Sequence, residues 1–132
     1  MTNRPRIADY MATDLVTLTP GQEINKAMKI LLDERLSGAP VVDEKGLLVG
    51  VLSKKDCLKA ALNSNYYQEW GGIVADYMSR DVETLEADME LVQAAERFLV
   101  SHYRRFPVMR DGRLAGQISR TDVLRGLTEN WW

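Results

Sequence analysis

Several features that give proteins their chemistry are scarce in this chain of 132 residues. It has one cysteine, Cys57, so it forms no internal disulfide, which fits a reducing compartment. It has one histidine, His102, and the sequence shows no metal-ligand cluster of the usual spacing and no recognisable Ser-His-Asp or Cys-His arrangement. Its apolar runs are too short to cross a bilayer, and its basic start lacks the apolar stretch of a secretory signal. We therefore expect a cytoplasmic protein that is not an enzyme, without catalytic or metal-binding residues.

Neither sign of charge dominates, because the formal net charge is −2. Such a balance argues against non-specific binding to nucleic acid. The length suits one compact domain, or two packed halves, with a core that needs no disulfide or metal.

What the chain does contain is an internal repeat. The segment Ala8–Met11 returns letter for letter as Ala75–Met78, 67 positions later. The matches continue in order, and after the loss of one residue in a predicted turn they run on at an offset of 66. We divide the chain into a tail, a first repeat, a linker, a second repeat and a final tail, at residues 1–6, 7–62, 63–73, 74–127 and 128–132.

Both copies predict the same elements, β-α-β-β-α, after a short helix that carries the Ala-Asp-Tyr-Met sequence. The first strand covers residues 15–18 or 82–85, and in the first copy the next helix begins at Thr19 and Pro20, as a cap and a first-turn proline. A hairpin and a last helix follow. We expect the helices to bury apolar residues spaced three or four apart. These are Ile24, Ala27, Met28, Leu31, Leu32, Leu58, Ala61 and Leu62 in the first copy, and Leu91, Ala94, Ala95, Phe98, Leu99, Val123, Leu124 and Leu127 in the second.

The most informative motif is Ser-x-x-Asp, which begins each last helix as Ser53–Asp56 and Ser119–Asp122. An ionised carboxylate can accept hydrogen bonds from both hydroxyls of a cis-diol, and a helix start offers N–H groups to a phosphate. Gly50 and Gly116 in the preceding strands would let a ligand approach the backbone. The same spacing is also that of a capping box, in which the two residues only close the helix end. The motif alone leaves both interpretations open.

The two copies differ just before the hairpin. The second copy has Arg104 and Arg105 where the first has Ser37 and Gly38. The planar guanidinium of arginine suits a phosphate group. A solvated turn is the alternative interpretation.

With these segments in view, the chain resembles a pair of CBS domains, named for cystathionine β-synthase, which form one Bateman module. The resemblance runs from about Ile7 to Leu127. It is carried by the segments Gly38–Asp43, Gly50–Asp56, Arg105–Met109 and Gly116–Asp122.

The resemblance implies an α/β (α+β) fold in which two repeats pack by pseudo-twofold symmetry through their sheets, with two clefts between them. It also implies a regulatory module that senses an adenosine-containing ligand, with AMP, ADP or ATP foremost and S-adenosylmethionine as a further candidate, and that signals to an unknown protein target. Such modules usually form disc-shaped homodimers. The alternative is a structural or oligomerisation module with vestigial clefts that binds a protein without nucleotide. We expect no nucleic acid, membrane or catalytic cofactor.

By the same resemblance, the serine lies near the ligand phosphate, the aspartate accepts from ribose hydroxyls and the arginines meet the phosphates. The residues of the better cleft are then Ser119, Asp122, Arg104, Arg105, Ile118, Thr13, Leu15, Leu36 and Ser37. Those of the second cleft are Ser53, Asp56, Leu52, Arg80, Val82 and Tyr103. Because the second cleft lacks its own arginine pair, we expect two clefts of unequal affinity.

The remaining aromatic residues cluster in two places. Tyr66, Tyr67 and Trp70 fall in the linker, where they either pack the joint between halves or stack on a ligand. Trp131 and Trp132 either mark a contact surface or pack against the same molecule.

Overall fold

The computed structural model describes residues 4–67 and 71–131, without the side chains of residues 65–67. It confirms a mixed α and β fold with two similar halves. The helices are α1 (Ile7–Tyr10), α2 (Ile24–Asp33), α3 (Lys54–Tyr67), α4 (Val74–Tyr77), α5 (Leu91–Leu99) and α6 (Arg120–Glu129). The strands are β1 (Gly38–Val42), β2 (Leu48–Ser53), β3 (Leu85–Glu86), β4 (Arg105–Arg110) and β5 (Arg113–Ser119).

The chain forms two compact units whose limits differ from those of the sequence repeats. Unit 1 combines the N-terminal segment through Leu15 with the chain from Glu83 onward, and unit 2 is Val16–Val82. Each repeat therefore contributes its short first helix to the unit that holds most of the other repeat. Backbone hydrogen bonds fix this exchange, from the Ile7 amide to the Met89 carbonyl and from the Val74 amide to the Gln22 carbonyl, each at 2.9 Å.

Each unit has its own hydrophobic core. The core of unit 1 joins Ile7 of α1 to the inner faces of α5, β4, β5 and α6. The core of unit 2 joins Val74 of α4 to α2, β1, β2 and α3 in the same way. The short helices are thus held by burial of one aliphatic side chain each, since both Ile7 and Val74 are fully buried.

The hairpins form as predicted, and their turns explain the missing residue of the second copy. Strands β4 and β5 join through Asp111 and Gly112, both in the left-handed region, with φ of 53° and 78°. That pair forms a two-residue hairpin turn. Strands β1 and β2 join through a longer turn, which ends in Gly46 at φ 80°. The predicted first strands are reduced to one bridge, between Leu18 and Val41, and to the two residues of β3.

The predicted start of α2 at Thr19 and Pro20 is wrong. Residues 19–22 form a turn in which the Gln22 amide donates to the Thr19 carbonyl at 3.3 Å. The helix begins at Ile24 instead, because Glu23 is extended and bridges to Ile73 ahead of α4. A pairing distant in sequence therefore overrides the local capping signal.

Several leucines that we expected in the core are exposed. They are Leu32, Leu58, Leu62, Leu99 and Leu124, with exposed fractions between 59% and 86%. Helices α3 and α6 instead turn small or short residues inward, namely Cys57, Ala60, Val123 and Gly126. Gly126 shows the reason, because a Cβ there would overlap Leu91 Cδ2 and the Tyr10 ring.

The predicted linker is partly helical, because α3 continues to Tyr67. The side chains of Tyr66 and Tyr67, and all of Trp70 and Trp132, lie outside the described residues. Trp131 is 74% exposed.

Candidate functional site

Both Ser-x-x-Asp motifs form complete capping boxes. In unit 1 the Asp122 amide donates to Ser119 Oγ at 3.1 Å, and the Ser119 amide donates to Asp122 Oδ2 at 2.9 Å. Ser53 and Asp56 in unit 2 repeat both bonds at the same distances. The duplication therefore preserves a structural role at both helix starts.

Capping does not use all the hydrogen-bonding capacity of these side chains. Each serine hydroxyl accepts a bond and still has a hydrogen to donate, and each carboxylate has a second oxygen. The backbone N–H groups at each helix start are less available to a phosphate than the sequence predicts, because one of them is already hydrogen-bonded. The Arg120 amide already donates to the Arg104 carbonyl at 3.4 Å, and the Lys54 amide donates to the Ser37 carbonyl at 2.8 Å.

The arginine pair lies directly beside the motif of unit 1. Arg105 is the first residue of β4 and faces Ser119 across the antiparallel ladder. Arg104 precedes it, and Arg120 follows Ser119 at the start of α6. All three side chains are exposed, and none forms an ion pair with a carboxylate of the described residues. Unit 1 therefore has three exposed arginines near one helix start, each without an ion pair among the described residues, and the predicted site includes only two of them.

The chain that crosses after each short helix lies against the strand that precedes the motif. Ala12 exchanges two backbone hydrogen bonds with Gln117 of β5, at 2.8 and 2.9 Å, and the predicted site residue Thr13 follows Ala12 in the chain. Ser79 does the same with Val51 of β2, at 2.9 Å in both directions, and the predicted site residue Arg80 follows Ser79.

Most residues predicted for one cleft fall within one unit. Thr13, Leu15, Arg104, Arg105, Ile118, Ser119 and Asp122 belong to unit 1, whereas Leu36 and Ser37, predicted for the same cleft, belong to unit 2. Of the second set, Leu52, Ser53, Asp56, Arg80 and Val82 belong to unit 2, and Tyr103 belongs to unit 1.

Two predicted site residues have no accessible side chain. Ile118 and Leu52 are fully buried in the cores of units 1 and 2. Only their backbone atoms are therefore available to a ligand.

The interpretation of Gly50 and Gly116 as openings for a ligand is wrong. A Cβ at Gly116 would lie 2.6 Å from the Ala12 carbonyl oxygen and 2.8 Å from Met11 Sδ. At Gly50 it would lie 2.7 Å from the Ser79 carbonyl oxygen. The crossing chain, not a ligand, occupies the space that each glycine leaves.

One residue near the site escaped the sequence interpretation. Arg125 donates from Nη2 to Asp122 Oδ1 at 3.3 Å, and its guanidinium carbon lies 5.8 Å from the centre of the Tyr10 ring. The spacing of three residues from Asp122 on a helix was the available signal. Tyr10 in turn donates to Glu129 Oε2 at 2.8 Å, and this bond raises the pKa of the phenol.

Other chemistry is sparse in the part of the chain that the structure describes. His102 is exposed and stacks on Tyr103, with ring centres 4.9 Å apart. Within residues 4–67 and 71–131, no three His, Cys, Asp or Glu side chains are placed to hold a metal ion. Every helix of those residues is too short or too polar to cross a bilayer.

A cavity of about 300 Å³ lies near the tip of the β4–β5 hairpin, lined by residues such as Glu86 and Asp111.

Cys57 is buried, and burial together with the neighbouring Asp56 carboxylate raises the pKa of its thiol. Because the thiolate is the reactive form, we expect the folded protein to react with a disulfide reagent at pH 8 about tenfold or more slowly than the urea-unfolded chain. The appearance of released thiolate dye measures both rates. Equal rates would show that the thiol is accessible.

Comparisons of sequence and of structure match nearly the whole chain. The chain is 29% identical over 129 residues to an uncharacterised protein of Methanocaldococcus jannaschii, covering 98% of this chain and 45% of that protein. The chain thus spans less than half the length of that relative.

Two similar solved structures are ligand complexes. One is the protein CBSX2 of Arabidopsis thaliana in complex with AMP, with a TM-score of 0.83, 28% identity, and coverage of 97% of this chain and 99% of that one. The other is the CBS domain pair of protein MJ0100 in complex with 5′-methylthioadenosine and S-adenosyl-L-methionine, with a TM-score of 0.77, 26% identity, and coverage of 96% and 98%. The CBS domain family matches residues 7–63 and again residues 74–129, so the chain belongs to this family as a tandem pair of CBS domains.

Proposed function

We propose that this chain is a regulatory module that binds an adenosine-containing ligand and passes its occupancy to a protein partner. The observation that carries the proposal is the arrangement in unit 1. Arg105 is paired with Ser119 across the hairpin, Arg104 and Arg120 are their neighbours in the chain, and Asp122 caps the same helix start. Cations and a hydroxyl donor suit a phosphate, and a carboxylate suits a ribose diol. The AMP complex of CBSX2 supports this ligand class.

The two units differ in the charge that they offer. Unit 2 has Ser37 and Gly38 in the places of the arginine pair, and Arg80 donates from Nη2 to the Ala75 carbonyl at 3.4 Å. We therefore expect phosphorylated ligands to bind more tightly at unit 1. AMP, ADP or ATP is the expected ligand there, and a less anionic adenosyl compound suits unit 2 better.

The same module would act by association and not by catalysis. A homodimer is the expected assembly, and a cytoplasmic protein target is the expected recipient of the signal. We expect the dimer partner or the protein target to cover the exposed leucines of α3 and α6, which are Leu58, Leu62 and Leu124.

A second function has one observation in its favour. Because both Ser-x-x-Asp motifs are complete capping boxes, they would be retained in a module that only assembles with a protein and binds no nucleotide. Nucleotide titration separates the two functions.

The test is a calorimetric titration of ligand-free protein with AMP, ADP, ATP and S-adenosylmethionine. In the double variant Arg104→Gln/Arg105→Gln we expect ATP to bind about tenfold more weakly, because two solvent-exposed charge contacts of about 0.2–1 kcal/mol each are lost. The matched control is Arg110→Gln, an exposed arginine at the other end of β4. If none of the four ligands gave a heat of binding, the assembly function would be favoured. If both variants lost ATP affinity equally, the arginine pair would not belong to the site.

A further inference from the structure

The side chain of Arg125 connects the candidate ribose carboxylate to the first helix of unit 1. From Nη2 it donates to Asp122 Oδ1 at 3.3 Å and to the Tyr10 carbonyl at 3.5 Å. Its guanidinium carbon lies 5.8 Å from the centre of the Tyr10 ring, within the range of a cation–π contact. One planar group thus contacts both α6 and α1.

The carboxylate that Arg125 contacts is well confined. Asp122 Oδ2 accepts from the Ser119 amide at 2.9 Å, and Oδ1 accepts from Arg125. The Asp122 side chain is only 17% exposed, whereas that of Arg125 is 49% exposed. With one partner on each oxygen, the plane of the carboxylate is set, and each oxygen still has a lone pair for a ribose hydroxyl.

Tyr10 extends this connection to the end of α6. Its hydroxyl donates to Glu129 Oε2 and accepts from Asn130 Nδ2, each at 2.8 Å. Asn130 also donates to the Gly126 carbonyl at 2.8 Å, which closes the last turn of the helix. A change at Asp122 therefore has a continuous route of contacts to α1 and to the end of α6.

Unit 2 lacks the corresponding connection. Lys59 stands at the position aligned with Arg125, and no bond from it to Asp56 or Tyr77 occurs among the described residues. Lysine is a point charge and cannot place one planar group against a carboxylate, a carbonyl and a ring together. Tyr77 instead accepts a bond from Asn63 Nδ2 at 3.2 Å.

We infer that Arg125 is a positioning residue that orients Asp122 for the ligand and couples occupancy of unit 1 to the packing of α1. The inference rests on the proposed function, because it needs a ligand that bonds to Asp122. The coupling belongs to unit 1 alone, so occupancy of unit 2 has no equivalent effect on α4. The two sites would then differ in their signal as well as in their affinity.

The test measures affinity at unit 1 from the NMR shift of the Asp122 amide, with adenosine and AMP as probes, in Arg125→Gln, Arg125→Lys and the matched control Lys59→Gln. We expect Arg125→Gln to weaken both probes by the same factor, about five- to tenfold, since the lost bond orients the carboxylate. Arg125→Lys restores this only in part, and Lys59→Gln leaves unit 1 unchanged. If Arg125→Gln weakened the binding of AMP but not of adenosine, and Arg125→Lys restored it, Arg125 would contribute only its charge. That result would overturn the inference.

Amide hydrogen exchange over residues 7–12 provides the second readout. We expect AMP to slow exchange there in the wild type and in Lys59→Gln, but not in Arg125→Gln. In ligand-free protein, Arg125→Gln exchanges faster than the wild type. Wild-type protein that binds neither probe would defeat the proposed function and the coupling together. Normal binding with no effect of Arg125→Gln on affinity or exchange would defeat the inference alone.

Discussion

Replacing Gly116 with alanine is expected to lower the free energy of unfolding by about 1–3 kcal/mol, the usual cost of forcing extra volume into packed structure. The new Cβ would lie 2.6 Å from the Ala12 carbonyl oxygen, which itself accepts from the Gln117 amide. Neither backbone segment can move without breaking that bond. Thermal unfolding followed by circular dichroism should show a midpoint lower by about 4 °C for each kcal/mol.

Gly21 provides the matched control for this substitution. No atom lies within 4 Å of the position where its Cβ would be placed, so Gly21→Ala should leave the midpoint almost unchanged. Gly50→Ala should behave like Gly116→Ala, since its Cβ would lie 2.7 Å from the Ser79 carbonyl oxygen. A Gly116→Ala protein as stable as Gly21→Ala would contradict the close crossing of the chain in unit 1.

Replacing Asp122 with alanine is expected to weaken AMP binding at unit 1 by roughly 1–3 kcal/mol, about five- to 150-fold, because a charged acceptor for the ribose is lost. The same substitution removes the acceptor of the Ser119 amide, so the free energy of unfolding should fall by about 1 kcal/mol. Titration calorimetry measures the first effect and urea unfolding measures the second. Both losses are expected, because the carboxylate caps the helix and also faces the proposed ligand.

Asp76, a carboxylate that caps a helix outside the proposed site, serves as the control that separates the loss of stability from the loss of affinity. Asp76 Oδ2 accepts from the Ile73 amide at 3.0 Å at the start of α4, in unit 2. Asp76→Ala should lower stability by a comparable amount and leave AMP affinity at unit 1 unchanged. If Asp122→Ala also lost stability without losing affinity, Asp122 would have only the capping role.

Much of the fold could be predicted from the repeat, because the same elements are written twice. The exchange of α1 and α4 could not, since a four-residue helix carries no signal for the partner against which it packs. The start of α2 was missed for a similar reason, because Glu23 pairs with Ile73, far along the chain. Such pairings depend on tertiary contacts that override local preference.

For the site, too, local features could be predicted from the sequence and tertiary contacts could not. The position of Arg105 opposite Ser119 follows from hairpin register, which the aligned repeats already contain. The sequence predicts the wrong roles for Gly116, as an opening for a ligand, and for Leu124, as a core side chain, because each role is consistent with the local pattern. Only the crossing segment at Ala12 and the close approach of α5 at Gly126 show otherwise.

We propose that one duplicated fold carries two adenosine sites of unequal affinity, with the tighter one at unit 1. A calorimetric titration of AMP into ligand-free wild-type protein tests it most directly, provided that absence of bound nucleotide is first verified by absorbance. We predict an isotherm with two binding steps of different affinity. Two equal sites, or no heat from AMP over a concentration range that reaches millimolar, would contradict the claim.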